Sequence, residues 1–82
     1  MTYEDIRTVV VEVLASVAPE GDFDRLKPDR PLRDQLDIDS YDFLNIIVQL
    51  HERLGVDIPE TDYRHLSSLD GVVAYLAQRM SR

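Results

Sequence analysis

The chain contains no cysteine, which excludes a disulfide framework, a thiolate nucleophile and a cysteine-based metal site, and is typical of a reducing compartment. It has no apolar run near the ~20 residues that span a bilayer. Residues 1–5 lack the positive charge and apolar stretch of a signal peptide. With 82 residues, it has room for one core and no deep enzyme cleft. These absences predict a single cytoplasmic domain, residues 1–82, without a membrane span.

Basic residues are scarce in the middle of the chain. Eight acidic residues and one basic residue, Arg53, lie between residues 34 and 62, so this window carries the whole formal net charge of -7. Eight acidic and eight basic residues outside it cancel. Such a field repels a phosphate backbone and predicts no binding of nucleic acid. It attracts a basic patch on a partner enzyme, although an acidic surface that only aids solubility has the same composition.

Apolar residues recur at helical spacing in three long segments, and no segment has the alternation of a strand. The three stripes consist of Ile6, Val9, Val10, Val13, Leu14 and Val17, then Phe43, Ile46, Ile47, Leu50 and Leu54, and finally Leu69, Val72, Val73, Leu76 and Met80. The predicted N-caps are Thr2, Asp39 and either Ser67 or Ser68. Residues 61–66 suffice for one or two turns. The sequence therefore predicts an all-α fold, a small four-helix bundle of three main helices and one short helix.

A long loop is predicted between the first two main helices, from about residue 18 to residue 38. Pro19 ends the first helix because proline disfavours helical geometry in the residue before it. A structureless segment of this length is unusual in a compact domain. Four apolar side chains can pin it across the helices, namely Phe23, Leu26, Leu32 and Leu36.

The run Asp37-Ile38-Asp39-Ser40-Tyr41-Asp42-Phe43-Leu44 is an acidic turn that leads into the second main helix. Asp39 is placed to accept a hydrogen bond from a free N–H of the first turn, and Asp42 adds negative charge where the helix dipole favours it. Ser40 is then the first helical residue. A phosphodiester on its hydroxyl would lie beside the positive end of the dipole, an interaction worth roughly 0.3–1 kcal/mol.

No catalytic machinery accompanies Ser40. It has no Gly-x-Ser-x-Gly elbow, and neither His51 nor His65 belongs to a recognisable triad. His51 lies roughly 16 Å along the helix, too far to act as the base of Ser40. The acidic run is not a calcium loop either, because Tyr41 and Asp42 stand where an oxygen ligand and the required glycine belong. We therefore expect neither an enzyme nor a metal site. Ser40 is either an ordinary helix-start residue or a point of attachment.

The acidic run with Asp39-Ser40, the apolar helix and the segment Gly55-Val56-Asp57-Ile58-Pro59-Glu60 together resemble an acyl carrier protein over nearly the whole chain. The family usually has glycine where this chain has Asp37 and leucine where it has Tyr41. The resemblance implies that a phosphopantetheinyl transferase moves 4'-phosphopantetheine from coenzyme A onto Ser40, which Asp39 flanks. The terminal thiol of that arm would carry an acyl group as a thioester.

A second apolar stripe on the same helix consists of Tyr41, Leu44 and Val48. It is open whether this stripe is buried, because the central helix of a small bundle can be covered on a wide arc, or forms an exposed apolar patch with an acidic rim, as a transient interface does. The resemblance implies partner-binding roles for Tyr41, Asp42, Leu44, Val48, Asp57 and Glu60. The implied partners of a monomeric carrier are the transferase and acyl-loading and acyl-processing enzymes with basic docking patches.

The resemblance implies a carrier of acyl intermediates in fatty-acid, polyketide or related secondary biosynthesis. Aspartate rather than histidine before Ser40 favours this over a peptidyl or aminoacyl carrier. Three helix positions that are often acidic in fatty-acid carriers hold Asn45, His51 and Arg53 here, which favours a dedicated secondary pathway. The alternative from another class is an unmodified acidic helical adaptor that binds a protein through the same stripe.

Overall fold

The computed structural model describes residues 1–80, which form α-helices and short 3₁₀ helices and no strand. The α-helices are α1 (Tyr3–Val17), α2 (Leu32–Gln35), α3 (Ser40–Leu54) and α4 (Leu69–Met80), and the 3₁₀ helices are Phe23–Arg25 and Glu60–His65. The predicted all-α class and its three main helices are confirmed. Within these residues, no helix has the length and apolarity needed to cross a membrane.

Side chains fix the starts of α1 and α4, as the sequence predicts. The Thr2 hydroxyl accepts a hydrogen bond from the Asp5 N–H at 3.1 Å, and the Asp5 carboxylate accepts one from the Thr2 N–H at 3.1 Å. These hydrogen bonds hold the pKa of Asp5 below its ordinary value of 3.8. For α4, the Ser68 hydroxyl accepts from the Gly71 N–H at 3.0 Å, so Ser68 is the cap and not Ser67.

The core is aliphatic and lies where α1 packs against α3 and α4. Its most deeply buried side chains are Val10, Val13, Leu14, Leu50, Leu66, Leu69, Val73 and Leu76. All but Leu66 come from the three predicted stripes. The outer members of those stripes are only partly buried, namely Val9, Val17, Phe43, Leu54 and Met80. The helical periodicity therefore identifies the buried faces but overestimates how far they extend.

The segment between α1 and α3 is not the structureless loop that the sequence predicts. It contains the 3₁₀ helix Phe23–Arg25 and α2, while Leu32 and Leu36 are buried and Phe23 and Leu26 pack against the core, as predicted. A backbone hydrogen bond ties this segment to the start of α4. The Leu32 N–H donates to the Ser67 carbonyl at 2.7 Å. A helix of 4 residues is too short to show a period, and so the pattern could not predict it.

The far end of α3 is also fixed. Gly55 ends the helix in the left-handed region, with φ of 68°, and its N–H donates to the His51 carbonyl at 2.8 Å. Glycine tolerates this geometry because it has no Cβ. The Arg53 guanidinium donates to the Glu12 carboxylate at 2.7 Å and ties α3 to α1. These contacts hold the end of α3 opposite to Ser40.

Candidate functional site

Ser40 is the first residue of α3, and a reciprocal pair of hydrogen bonds holds the turn that presents it. Asp39 Oδ1 accepts from the Asp42 N–H at 2.9 Å, and Asp42 Oδ2 accepts from the Asp39 N–H at 3.1 Å. The sequence predicts the first of these bonds and the position of Ser40. It assigns Asp42 only a charge interaction with the dipole, and the structure adds its hydrogen bond back to Asp39. The turn is thus closed from both sides, as in a capping box.

The Ser40 side chain is exposed, and its hydroxyl has no hydrogen-bond partner within residues 1–80. The neighbouring carboxylates of Asp39 and Asp42 are engaged in the cap and do not bind it. In the same described range, the N–H groups of Ser40 and Tyr41 have no acceptor, as is usual for the first turn of a helix. A group attached to the Ser40 oxygen would therefore meet free donors and displace no existing contact.

A cleft of about 510 Å³ opens beside Ser40, between α2, α3 and the 3₁₀ helix Glu60–His65. Its apolar lining includes Leu32, Ile38, Phe43, Leu44, Tyr63 and Leu66. The rings of Phe43 and Tyr63 meet edge to face, with centroids 5.3 Å apart and planes at 75°. Phe43 is thus a wall of this cleft and not a fully buried core residue, which corrects its place in the predicted core stripe. The sequence does not predict the cleft, because its walls come from three separate segments.

Charged side chains also line the cleft. They are Arg33 from α2 and Glu60 and Arg64 from the 3₁₀ helix. The guanidinium carbon of Arg33 lies 5.6 Å from the centroid of the Phe43 ring, within the range of a cation–π contact. Neither arginine is predicted as a site residue from the sequence, because the two lie just outside the acidic window of residues 34–62, one on either side. The surroundings of Ser40 are therefore less uniformly acidic than that window indicates.

The second stripe on α3 is exposed, which answers the question that the sequence leaves open. Tyr41 is 85% exposed, Leu44 47% and Val48 54%. Two carboxylates, Asp39 and Asp42, lie at the Ser40 end of this surface. We call Tyr41, Leu44 and Val48 the apolar patch. Burial on a wide arc is ruled out, and the helix presents a free apolar surface next to Ser40.

The remaining two predicted partner-binding residues lie in different places. Glu60 lines the cleft together with Ser40. Asp57 is at the opposite end of α3, where its carboxylate lies 3.3 Å from His51 Nδ1. Since His51 is roughly 16 Å from Ser40 by helical rise, the structure does not bring Asp57 into the site.

A polar network holds the 3₁₀ helix Glu60–His65 against α4. The Tyr75 hydroxyl donates to Asp62 Oδ2 at 2.6 Å, and Arg79 Nε donates to the Tyr75 oxygen at 3.1 Å. Partial burial, together with the hydrogen bond to Asp62, raises the pKa of Tyr75 above its ordinary value of 10.0. The network supports the helix that supplies Tyr63 and Arg64 to the cleft. The sequence pattern does not predict this network.

Comparison with known proteins gives consistent matches along the chain. Residues 4–76 match the family model described as "Phosphopantetheine attachment site". The acyl carrier protein of Campylobacter hominis is 38% identical over 74 residues, which cover 90% of this chain and 87% of that protein. Those of Campylobacter curvus and Acidothermus cellulolyticus are 36% and 30% identical, over 90% and 94% of this chain and 90% of each relative.

Proposed function

Because the chain belongs to the acyl carrier protein family, whose phosphopantetheine-binding domain spans residues 4–76 here, we propose that Ser40 is the residue that bears 4'-phosphopantetheine. Members of this family are carriers and not catalysts, and their attachment domain holds the group covalently. The observation that carries the assignment is the Ser40 hydroxyl, which is exposed and without a hydrogen-bond partner within residues 1–80. Its place at the first position of α3 supports the same assignment.

The residues around Ser40 fit such a group. A phosphodiester on Ser40 would meet the N–H groups of the first turn, which have no acceptor within residues 1–80, and the positive end of the α3 dipole, both of which favour an anion. The cap formed by Asp39 and Asp42 is complete without the Ser40 hydroxyl, and so attachment leaves the helix start intact. The adjoining cleft of about 510 Å³ offers an apolar surface to whatever the arm carries.

Attachment is a phosphoryl transfer in which Ser40 is the nucleophile. A bond forms between the Ser40 oxygen and the phosphorus next to pantetheine, the phosphoanhydride bond of coenzyme A breaks, and adenosine 3',5'-bisphosphate leaves. The hydroxyl proton passes to a base of the transferase. When bound, the arm supplies a terminal thiol that holds an acyl group as a thioester.

The apolar patch of Tyr41, Leu44 and Val48 is the proposed docking surface for partner enzymes. An apolar centre with a charged rim is the composition of a transient interface. Acidic side chains close to it, Asp42 on α3 and Glu60 at the cleft, attract an enzyme that has a basic docking patch, chiefly by raising the rate of association. The proposed partners are the transferase and the enzymes that load and process the acyl group of a monomeric carrier. The intermediates belong to fatty-acid, polyketide or related biosynthesis.

Thioester formation tests this function against the unmodified adaptor. The chain is incubated with coenzyme A, a promiscuous transferase and an acyl-loading enzyme, and intact mass is measured before and after neutral hydroxylamine, which cleaves thioesters. A carrier gains the acyl mass and loses it again. Ser67→Ala is the matched control, because Ser67 lines the same cleft and its loss leaves loading unchanged. An adaptor binds its partner but gains no hydroxylamine-labile mass.

A further inference from the structure

The cleft beside Ser40 carries positive charge inside an acidic surface. Three carboxylates lie within three residues of Ser40 in the sequence, those of Asp37, Asp39 and Asp42, and they repel an anion brought to this region. Arg33 and Arg64 line the cleft itself. They come from elements on opposite sides of α3 in sequence, α2 and the 3₁₀ helix Glu60–His65. The fold thus brings two cations to the place where the chain is otherwise most acidic.

Within residues 1–80, neither arginine is neutralised by a carboxylate. Among residues 1–80, the guanidinium groups of Arg25, Arg53 and Arg79 form ion pairs with carboxylates, whereas those of Arg33 and Arg64 form none. Glu60, the acidic residue of the cleft lining, pairs with neither of them. Both cations are therefore available to an anion from outside the chain.

An aromatic ring also restrains the Arg33 guanidinium in the cleft. Its guanidinium carbon lies 5.6 Å from the centroid of Phe43, and the Phe43 ring is fixed by its edge-to-face contact with Tyr63 at 5.3 Å. Within residues 1–80, the Arg33 guanidinium makes no hydrogen bond, and so its N–H edge is available to bind carboxylate and phosphate oxygens. Since Phe43 is one helical turn from Ser40, the arm attached to Ser40 begins close to this edge.

We propose that Arg33 and Arg64 bind an anionic oxygen group that the arm on Ser40 brings into the cleft. This inference rests on the proposed function. The anion has two possible sources with the same chemistry, the phosphodiester of the arm itself and a terminal carboxylate on the acyl cargo. In the second case, the chain favours acyl groups that end in a carboxylate, with their methylene groups against the apolar lining of the cleft.

Two cargoes with the same number of carbon atoms, one ending in a methyl group and one in a carboxylate, separate these sources. The wild-type chain and the variants Arg33→Gln and Arg64→Gln are loaded by a promiscuous transferase from coenzyme A, butyryl-coenzyme A and succinyl-coenzyme A. Intact mass verifies loading, circular dichroism of the apo forms verifies folding, and thermal melting at low salt gives Tm. Arg7→Gln is the matched control, because Arg7 is exposed on α1, does not line the cleft and has no ion pair within the described residues.

If the cargo carboxylate is bound, the succinyl form melts about 3–6 °C above the butyryl form in the wild type and in Arg7→Gln, and either cleft variant abolishes the difference. If the phosphodiester is bound, all three loaded forms gain the same Tm over the apo form, and the cleft variants reduce that gain. If Arg7→Gln changes Tm as much as the cleft variants do, or if none of the three variants changes it, the inference is overturned and the carrier function stands. If the wild-type chain gains no mass, both the inference and the carrier function are overturned.

Discussion

Asp39 and Asp42 each accept a hydrogen bond from the backbone N–H of the other, at 2.9 and 3.1 Å, and so close the turn that starts α3. Ser40 lies between them and takes no part in the closure. Its position is thus set by residues on both sides, while its own hydroxyl has no hydrogen-bond partner within residues 1–80. This arrangement separates the structural task of the acidic run from its proposed functional task.

The cap contributes to stability independently of the charge that it carries. Asp39→Ala removes the hydrogen bond to the Asp42 N–H and lowers the free energy of unfolding by about 1 kcal/mol, whereas Asp39→Asn retains most of it because asparagine caps equally well. Urea denaturation measures the free energy of unfolding of both variants. Asp37→Ala is the control, since it removes the same charge from the same turn without a hydrogen bond of the cap. An equal loss of stability in Asp37→Ala would contradict the role of Asp39 as the N-cap of α3.

Gly71→Ala tests the close packing of α4 on the 3₁₀ helix Glu60–His65. A Cβ at residue 71 would lie 2.6 Å from the His65 carbonyl oxygen, a backbone atom that cannot move without shifting the helix. Helix propensity alone favours alanine by about 1 kcal/mol, while overpacking costs about 1–3 kcal/mol. We therefore predict a net loss of stability in urea denaturation. A more stable variant would show that the two helices are not in contact there.

The network of Tyr75, Asp62 and Arg79 predicts a pH dependence at the alkaline end. Because the pKa of Tyr75 is raised above 10.0 in the folded chain, the unfolded chain loses this proton first as the pH rises. The stability that protonated Tyr75 contributes is complete below pH 10 and is lost as the pH rises through the raised pKa.

Tyr75→Phe tests that dependence. It lowers the free energy of unfolding at pH 8 by about 0.5–1.5 kcal/mol, because Asp62 loses its donor, and it flattens the decline in stability above pH 10. Urea denaturation across this range measures both effects. The control is Tyr3→Phe, since the exposed Tyr3 hydroxyl has no partner within the described residues. The same flattening in the control would contradict a specific role for Tyr75.

A charge placed in the apolar patch is expected to weaken partner recognition without affecting folding. Leu44 is 47% exposed, and so Leu44→Asp leaves the circular dichroism spectrum unchanged. It places a charge in the proposed interface and lowers kcat/KM for modification by the transferase about tenfold or more, a loss of about 1.4 kcal/mol or more. Tyr3→Asp, which alters an exposed apolar side chain on α1 instead, leaves kcat/KM unchanged. An equal loss in both variants would place recognition elsewhere.

Sequence periodicity and capping residues were sufficient to predict α1, α3 and α4, because a buried face and an N-cap are properties of neighbouring residues. They also placed Ser40 at the first helical position, and the predicted family is confirmed. Whether Tyr41 and Leu44 are exposed could not be predicted, since the same spacing fits a buried arc. That depends on which elements cover α3.

The cleft could not be predicted for a related reason. Leu32 and Leu36 indicate that the segment before α3 packs on the core, but not that α2 forms or that Arg33 stacks on Phe43. Arg64 reaches the same cleft from the other side of α3. Such contacts arise only when three separate segments meet, and no local pattern records them.

Intact-protein mass spectrometry of the chain with coenzyme A and a promiscuous phosphopantetheinyl transferase is the direct test of attachment at Ser40. We predict that the wild type and Ser67→Ala each gain the mass of one phosphopantetheine, that Ser40→Ala gains none, and that fragmentation places the group on Ser40. A gain in Ser40→Ala, or no gain in the wild type with several transferases, would contradict the assignment of Ser40 as the attachment site.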